Sequence, residues 1–187
     1  DGDPYDYSPL IAFADLIQSQ PDGDFYPDVT EYMEFDTYLR QWAAETIMNH
    51  WDGAIFDILN NYRVYHNPET GKWVVVPTGM DQSFNGGQRP IDPWFPNSII
   101  ARRCLAEEDC EAAFAQALKD VLVIFEEADL VTMANGIREQ IRSEVEADPR
   151  KPGTVDQFEN RVNATIDFIE NRSVQINAWL DEHGYGE

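Results

Sequence analysis

The sequence predicts a mainly helical α+β fold with one embedded β-hairpin. Three observations carry that expectation. Apolar side chains recur at helical spacing through most of the 187 residues. One stretch, residues 61–77, instead alternates and is rich in β-branched and aromatic side chains on either side of a turn. Apolar residues make up 43 % and aromatic residues 12 %, enough to bury a core. No internal repeat or low-complexity tract divides the chain, so residues 1–187 read as one domain or one large lobe.

The elements follow in order. Asp1 to Ser8 is acidic and turn-rich. Pro9 to Gln20 reads as a helix, with Leu10, Phe13, Leu16 and Ile17 on one face and Pro9 suited to its first turn. Pro21-Asp-Gly-Asp breaks it, and a short segment around Val29 to Met33 follows. Asp36 is placed to cap a helix carrying Leu39, Trp42, Ala43, Thr46 and Ile47, which ends near Asn49 to Gly53. Asn61 to His66 and Lys72 to Pro77 are strands joined by the Asn67-Pro-Glu-Thr-Gly71 turn. Thr78 to Pro96 holds Gly79, Gly86, Gly87 and three prolines, and reads as a long functional loop. Four further helices are expected: Ile99 to Leu105, Glu111 to Glu126, Asp129 to Glu146 and Thr154 to His183. Asp148 to Gly153 separates the last two, and Thr154 with Gln157 forms a capping-box pattern.

Charge excludes whole classes of function. The formal net charge is −22, from 35 acidic and 13 basic side chains. Nucleic-acid binding needs Lys and Arg to displace counterions, so it is not expected here. No stretch approaches the roughly 18 apolar residues of a membrane span. A basic partner, bound cations or a saline medium all suit such a surface, and so does solubility alone. Cys104 and Cys110 are too few for a zinc site. They suit either a disulfide closing a short loop, which implies an oxidising compartment, or two buried thiols. The chain starts at Asp1 with no Met or leader, as a processed or excised piece would.

Candidate chemistry gathers around the hairpin. Asp52 ends a helix, Asn60 and Asn61 open the first strand, and Asp81 lies just past the second. Antiparallel strands return the chain to its start, so Asn61 and Asp81 can meet at one mouth with Asp52 entering from the helix. Two carboxylates and an amide oxygen suit Mg²⁺ or Mn²⁺, and Ca²⁺ as well. Phosphoryl transfer uses such a set, although Asn and Asp at strand ends also cap backbone groups. His50 and His66 read as structural turn histidines. Trp51 and Trp94 read as packing residues that could border a cleft.

The stretches Phe35 to Glu45, Asn49-His-Trp-Asp-Gly53, Asn60 to Pro77 and Met80-Asp-Gln-Ser-Phe84 resemble the CotH kinase family. The resemblance covers about residues 10 to 182 and implies the C-terminal lobe of a protein-kinase-like fold. It also implies a secreted or cell-surface protein that moves phosphate from ATP to Ser or Thr of a coat or extracellular protein. On that likeness Asp52 takes the place of the catalytic aspartate. Asn61 and Asp81 take those of the metal-binding pair, with Asn60 a secondary candidate beside the nucleotide. Arg172 is expected to anchor its helix by a salt bridge. Two departures stand out. Family members usually read Pro-Trp-Asp-Leu-Asp where this chain reads Pro77-Thr-Gly-Met-Asp81, so one acid is replaced by Gly79. No lobe with a phosphate-gripping cation precedes Asp52. The isolated chain is therefore expected to show little turnover, and the alternative is a catalytically dead surface module that binds a protein or carbohydrate.

Overall fold

A computed structural model describes residues 6–19, 23–85, 89 and 91–186. It is mainly helical with one small antiparallel sheet, as the periodicity requires. The helices are α1 (Ser8–Ser19), α2 (Phe25–Tyr32), α3 (Phe35–Met48), α4 (Ile99–Cys104), α5 (Glu108–Glu127), α6 (Leu130–Ala147) and α7 (Val155–Glu182). The strands β1 (Tyr62–His66) and β2 (Trp73–Pro77) form the hairpin, followed by a single 3₁₀ turn at Met80–Gln82. Expectations for Asp1 to Tyr5, Gln20 to Asp22, Gly86, Gly87 and Pro90 lie outside the described residues.

Helix α3 is the centre of the molecule and is buried over most of its surface. Phe35, Tyr38, Leu39, Trp42, Ala43 and Ile47 are all buried, as expected for a helix with neighbours on every side. Helix α5 packs along it, and Trp42 stacks on Phe114 with ring centroids 3.7 Å apart. The hairpin closes another side. Its register pairs Tyr62 with Pro77 and His66 with Trp73, and Gly71 turns the chain at φ +70°, a conformation that favours glycine. Trp73 stacks on Phe13 of α1 at 5.2 Å, and its carbonyl accepts from Glu34 N at 2.9 Å.

Several local expectations are corrected. The segment around Val29 to Met33 holds the end of α2, a full helix that Phe25 and Val29 anchor in the core, and its extended C-cap Met33. Glu34, not Asp36, sits at the N-cap of α3, and Asp36 lies within the first turn, where an acidic charge suits the helix dipole. Helix α5 starts at Glu108, three residues before the expected Glu111. Cys104 and Cys110 form the disulfide that ties the end of α4 to the start of α5.

Helices α6 and α7 form an antiparallel pair. Thr154 and Gln157 make the reciprocal capping box that the sequence signals. Glu159 on α7 bridges Arg138 and Arg142 on α6. Helix α6 buries none of its side chains fully, whereas α7 buries Arg172, Ile176 and Leu180. Arg172 is the link that matters for the site. It anchors α7 as expected, but through backbone carbonyls and not through a salt bridge.

Candidate functional site

The site begins where α3 ends. The last carbonyls of a helix have no partner within it, and each of the four here finds one elsewhere. Asn49 turns left-handed at φ 56°, and its N–H bonds back into the last turn. His50 N donates to Glu45 O at 2.8 Å, which completes the helix stop. Arg172 donates through Nε to Ile47 O at 2.9 Å and through a second guanidinium nitrogen to Thr46 O. Phe84 N donates to Met48 O at 2.8 Å. The chain thus leaves α3 in one fixed direction, into His50-Trp51-Asp52.

The Arg172 head is buried between the rings of Phe168 and Trp179, 5.0 and 4.9 Å from their centroids. Burial lowers its pKa to about 10, still far above neutrality. It stays a cation at the negative end of the α3 dipole, which is the favourable sign.

Asp52 is buried, and its backbone carbonyl accepts from Asn61 N at 2.8 Å. The side chains repeat the link: Asn61 Nδ2 donates to Asp52 Oδ2 at 2.7 Å. Asn61 sits at the mouth of the hairpin, where Thr78 N donates to its carbonyl at 2.9 Å. Its Nδ2 also reaches the Gly79 carbonyl at 3.4 Å. With the amide nitrogen so engaged, Asn61 Oδ1 is turned away from Asp52 and accepts from Asn60 Nδ2 at 3.2 Å. Asn60 itself is exposed.

Asp81 lies on the 3₁₀ turn after β2 and is exposed. Its charge is felt at His50, where it favours the protonated ring. The hairpin therefore returns the chain to the same end of α3. Asp52 and Asn61 are in direct contact, and Asp81 reaches the same neighbourhood from the following turn. Among the described residues no group of three or more His, Cys, Asp and Glu side chains is arranged to hold a metal ion.

Gly79 shows what the sequence departure means locally. Its φ is +61°, and a β-carbon placed there would lie 2.6 to 2.9 Å from the side-chain head of Asn61. Asn61 thus occupies the space that any side chain at position 79 would enter. The tryptophans are packing residues. Trp51 is buried under the Arg89 guanidinium, 4.1 Å from its centroid. Trp94 stacks on His183 at 4.0 Å and donates to Glu111 at 2.7 Å.

Glu45 was not singled out by the sequence, and His50, expected to be a structural turn histidine, lies beside Asp52. Glu45 and His50 are almost without solvent, at 1 % and 0 % exposure. Glu45 accepts from Gln41 Nε2 at 2.7 Å and from Ala54 N at 3.0 Å. Burial pushes its carboxyl pKa up to about 7, against those hydrogen bonds, and the charge of Asp52 adds to the rise. Burial lowers the pKa of His50, while Asp52, the Gly79 carbonyl and Asp81 pull the other way. The one available signal was Gly53. A β-carbon there would fall on the Glu45 carboxylate and 2.7 Å from His50 Nδ1.

The model of the CotH kinase protein family matches residues 1–176. Inner spore coat protein H of Bacillus subtilis (strain 168) is 26 % identical over 165 residues, an alignment covering 84 % of this chain and 44 % of that protein. The chain therefore spans less than half the length of this curated relative.

Proposed function

The chain belongs to the CotH kinase protein family, and from that membership we propose that it is the helical, phosphate-handling lobe of a secreted, coat- or surface-associated kinase-like protein. The protein to which it belongs moves the terminal phosphate of ATP to a Ser or Thr hydroxyl of an extracellular or coat protein, one with a basic surface to match the net charge of −22. Asp52 orients the acceptor hydroxyl. Asn61 and Asp81 supply oxygens to Mg²⁺ or Mn²⁺, or less selectively to Ca²⁺, and Asn60 stands beside the nucleotide.

The observation that carries this reading is the 2.7 Å bond from Asn61 Nδ2 to Asp52 Oδ2. It holds the carboxylate of one role against the amide of the other and leaves Asn61 Oδ1 to accept from Asn60 Nδ2. The donor set fits a cation shared with phosphate oxygens, since Mg²⁺ is commonly held by one or two carboxylates plus substrate. It does not fit a dedicated protein cage. When bound, the cation would neutralise charge on the phosphates. The protein's own part is to fix Asp52 and to exclude water from its inner side.

The test is phosphate transfer from labelled ATP with Mn²⁺ to a basic acceptor, using the full-length protein. Asp52→Asn and Asp81→Asn are each expected to lose about 10²-fold or more, the usual share of a positioned acid–base group or a metal ligand. Undiminished transfer in both variants overturns the reading. The 187-residue chain alone is expected to show little turnover, because Arg40 is the one Lys or Arg before Asp52 and it faces solvent.

A second reading is favoured by Gly79. Asn61 fills the space of the family acid and is tied to Asp52. Both features suit a surface module that keeps the fold, lacks turnover and binds a protein or carbohydrate. Calorimetric titration with ATP and Mg²⁺ separates the two. Binding abolished in Asp52→Asn and Asp81→Asn supports the kinase reading, and no binding by the full-length protein supports the module.

A further inference from the structure

Behind Asp52 runs a row of buried polar side chains that the chemistry above does not use. His50 Nε2 lies 3.4 Å from Asp52 Oδ1. On the far side of the ring, His50 Nδ1 lies 4.0 Å from Glu45 Oε1. Neither ring nitrogen has a well-aligned hydrogen bond, and neither does Asp52 Oδ1. Buried polar atoms rarely go unpaired, and here the unpaired atoms face one another.

A neutral imidazole has one N–H and one lone pair. Asp52 stands on the Nε2 side, so the proton belongs there. The Nδ1 lone pair then faces Glu45, which is compatible with a protonated carboxyl and not with a carboxylate. A carboxylate offers about four lone-pair positions. Accepting from His50 on one oxygen and Asn61 on the other leaves Asp52 free to accept from a third group in the cleft.

We propose that His50 is a positioning residue for Asp52: its Nε2–H holds Oδ1 while Asn61 holds Oδ2, so the carboxylate plane is set before an acceptor hydroxyl arrives. Glu45 lies behind the ring, 4.0 Å from Nδ1. The 3.4 Å separation shortens when ligand closes the site, as catalytic hydrogen bonds often do. The catalytic consequence rests on the phosphotransfer reading, whereas the hold on Asp52 does not.

The first test therefore needs no activity. Long-range proton–nitrogen correlation spectra of the ¹⁵N-labelled 187-residue chain report the tautomer of each histidine. There are three, His50, His66 and His183, and His50→Gln identifies the signals of the first. The expected result is a neutral His50 protonated on Nε2, with that proton moving upfield in Asp52→Asn. A ring protonated on Nδ1, or one unmoved by Asp52→Asn, overturns the proposal.

The second test uses the full-length protein. His50→Ala should lower kcat about 10- to 100-fold, the usual effect of removing a supporting partner, with KM for ATP within about twofold. His50→Gln, whose amide N–H can take the place of Nε2–H, should recover most of that loss. Equal loss in both variants marks a packing role and overturns the proposal. If the wild-type protein transfers no phosphate, the phosphotransfer reading fails, and the spectra still decide whether His50 holds Asp52.

Discussion

Glu45 is a carboxyl group with almost no water around it, and its behaviour with pH follows from that. Its folded-state pKa is about 7 against an ordinary 4.5. Between those values the folded chain keeps a proton that the unfolded chain releases, so stability falls as pH rises through this window. The full cost, on the order of 3 kcal/mol, is present above pH 7. His50 works in the opposite sense, since its lowered pKa costs stability only as pH falls below its ordinary range. Glu45→Gln should therefore equal wild type near pH 5 and exceed it near pH 8, as read by urea denaturation at both values. An identical difference at the two pH values would show that the charge is not the cause. Gly79 gives a second prediction. Its left-handed φ and its contact with Asn61 mean that Gly79→Ala should cost about 1–2 kcal/mol, measurable by thermal unfolding. The nearness of Asp52 and Asn61 was legible because a hairpin returns the chain to its start, while their roles, with that of Asp81, are implied by the family resemblance. The burial of Glu45 and His50 was not legible, because only the packed fold strips the water from them.

At the scale of elements, the end of α3 depends on α7. Arg172 satisfies two carbonyls there, and hydrogen bonds from a charged, buried donor contribute about 1.5–3 kcal/mol each. Arg172→Met should lower stability by about 3 kcal/mol or more and shift the His50 resonances. Arg172→Lys should not restore it, because a single ammonium cannot reproduce the planar fork. Thr154→Ala tests a more local device, with an expected loss of about 1 kcal/mol in the same denaturation experiment. The capping box of α7 is written within four consecutive positions and was read correctly. Arg172 binds carbonyls and not the expected carboxylate, because a sequence displays carboxylates while orphaned carbonyls exist only once a helix has ended. Likewise the start of α2 at Phe25 was hidden in the sequence, since it follows a turn-forming run.

The whole molecule carries a net charge of −22 spread over a helical body, and like charges repel across it. Raising ionic strength should increase the melting temperature and weaken capture of any basic acceptor, both readable in a salt series. The disulfide closes a loop of six positions between Cys104 and Cys110, so Cys104→Ser with Cys110→Ser should cost only about 2 kcal/mol. The mainly helical class and the place of the hairpin were legible because both rest on periodicity along the chain. What latches α7 onto the end of α3 was not, since Arg172 meets Ile47 and Thr46 across more than a hundred positions. That separation has an effect on how the protein is born. Arg172 meets Ile47 across 125 positions, and a polypeptide leaves the ribosome from its N-terminus. The turn bearing Asp52 is synthesised early but stays unlatched until the last helix emerges. A nascent or truncated chain that stops short of Arg172 would hold every proposed active-centre residue and still lack the clamp that aims them.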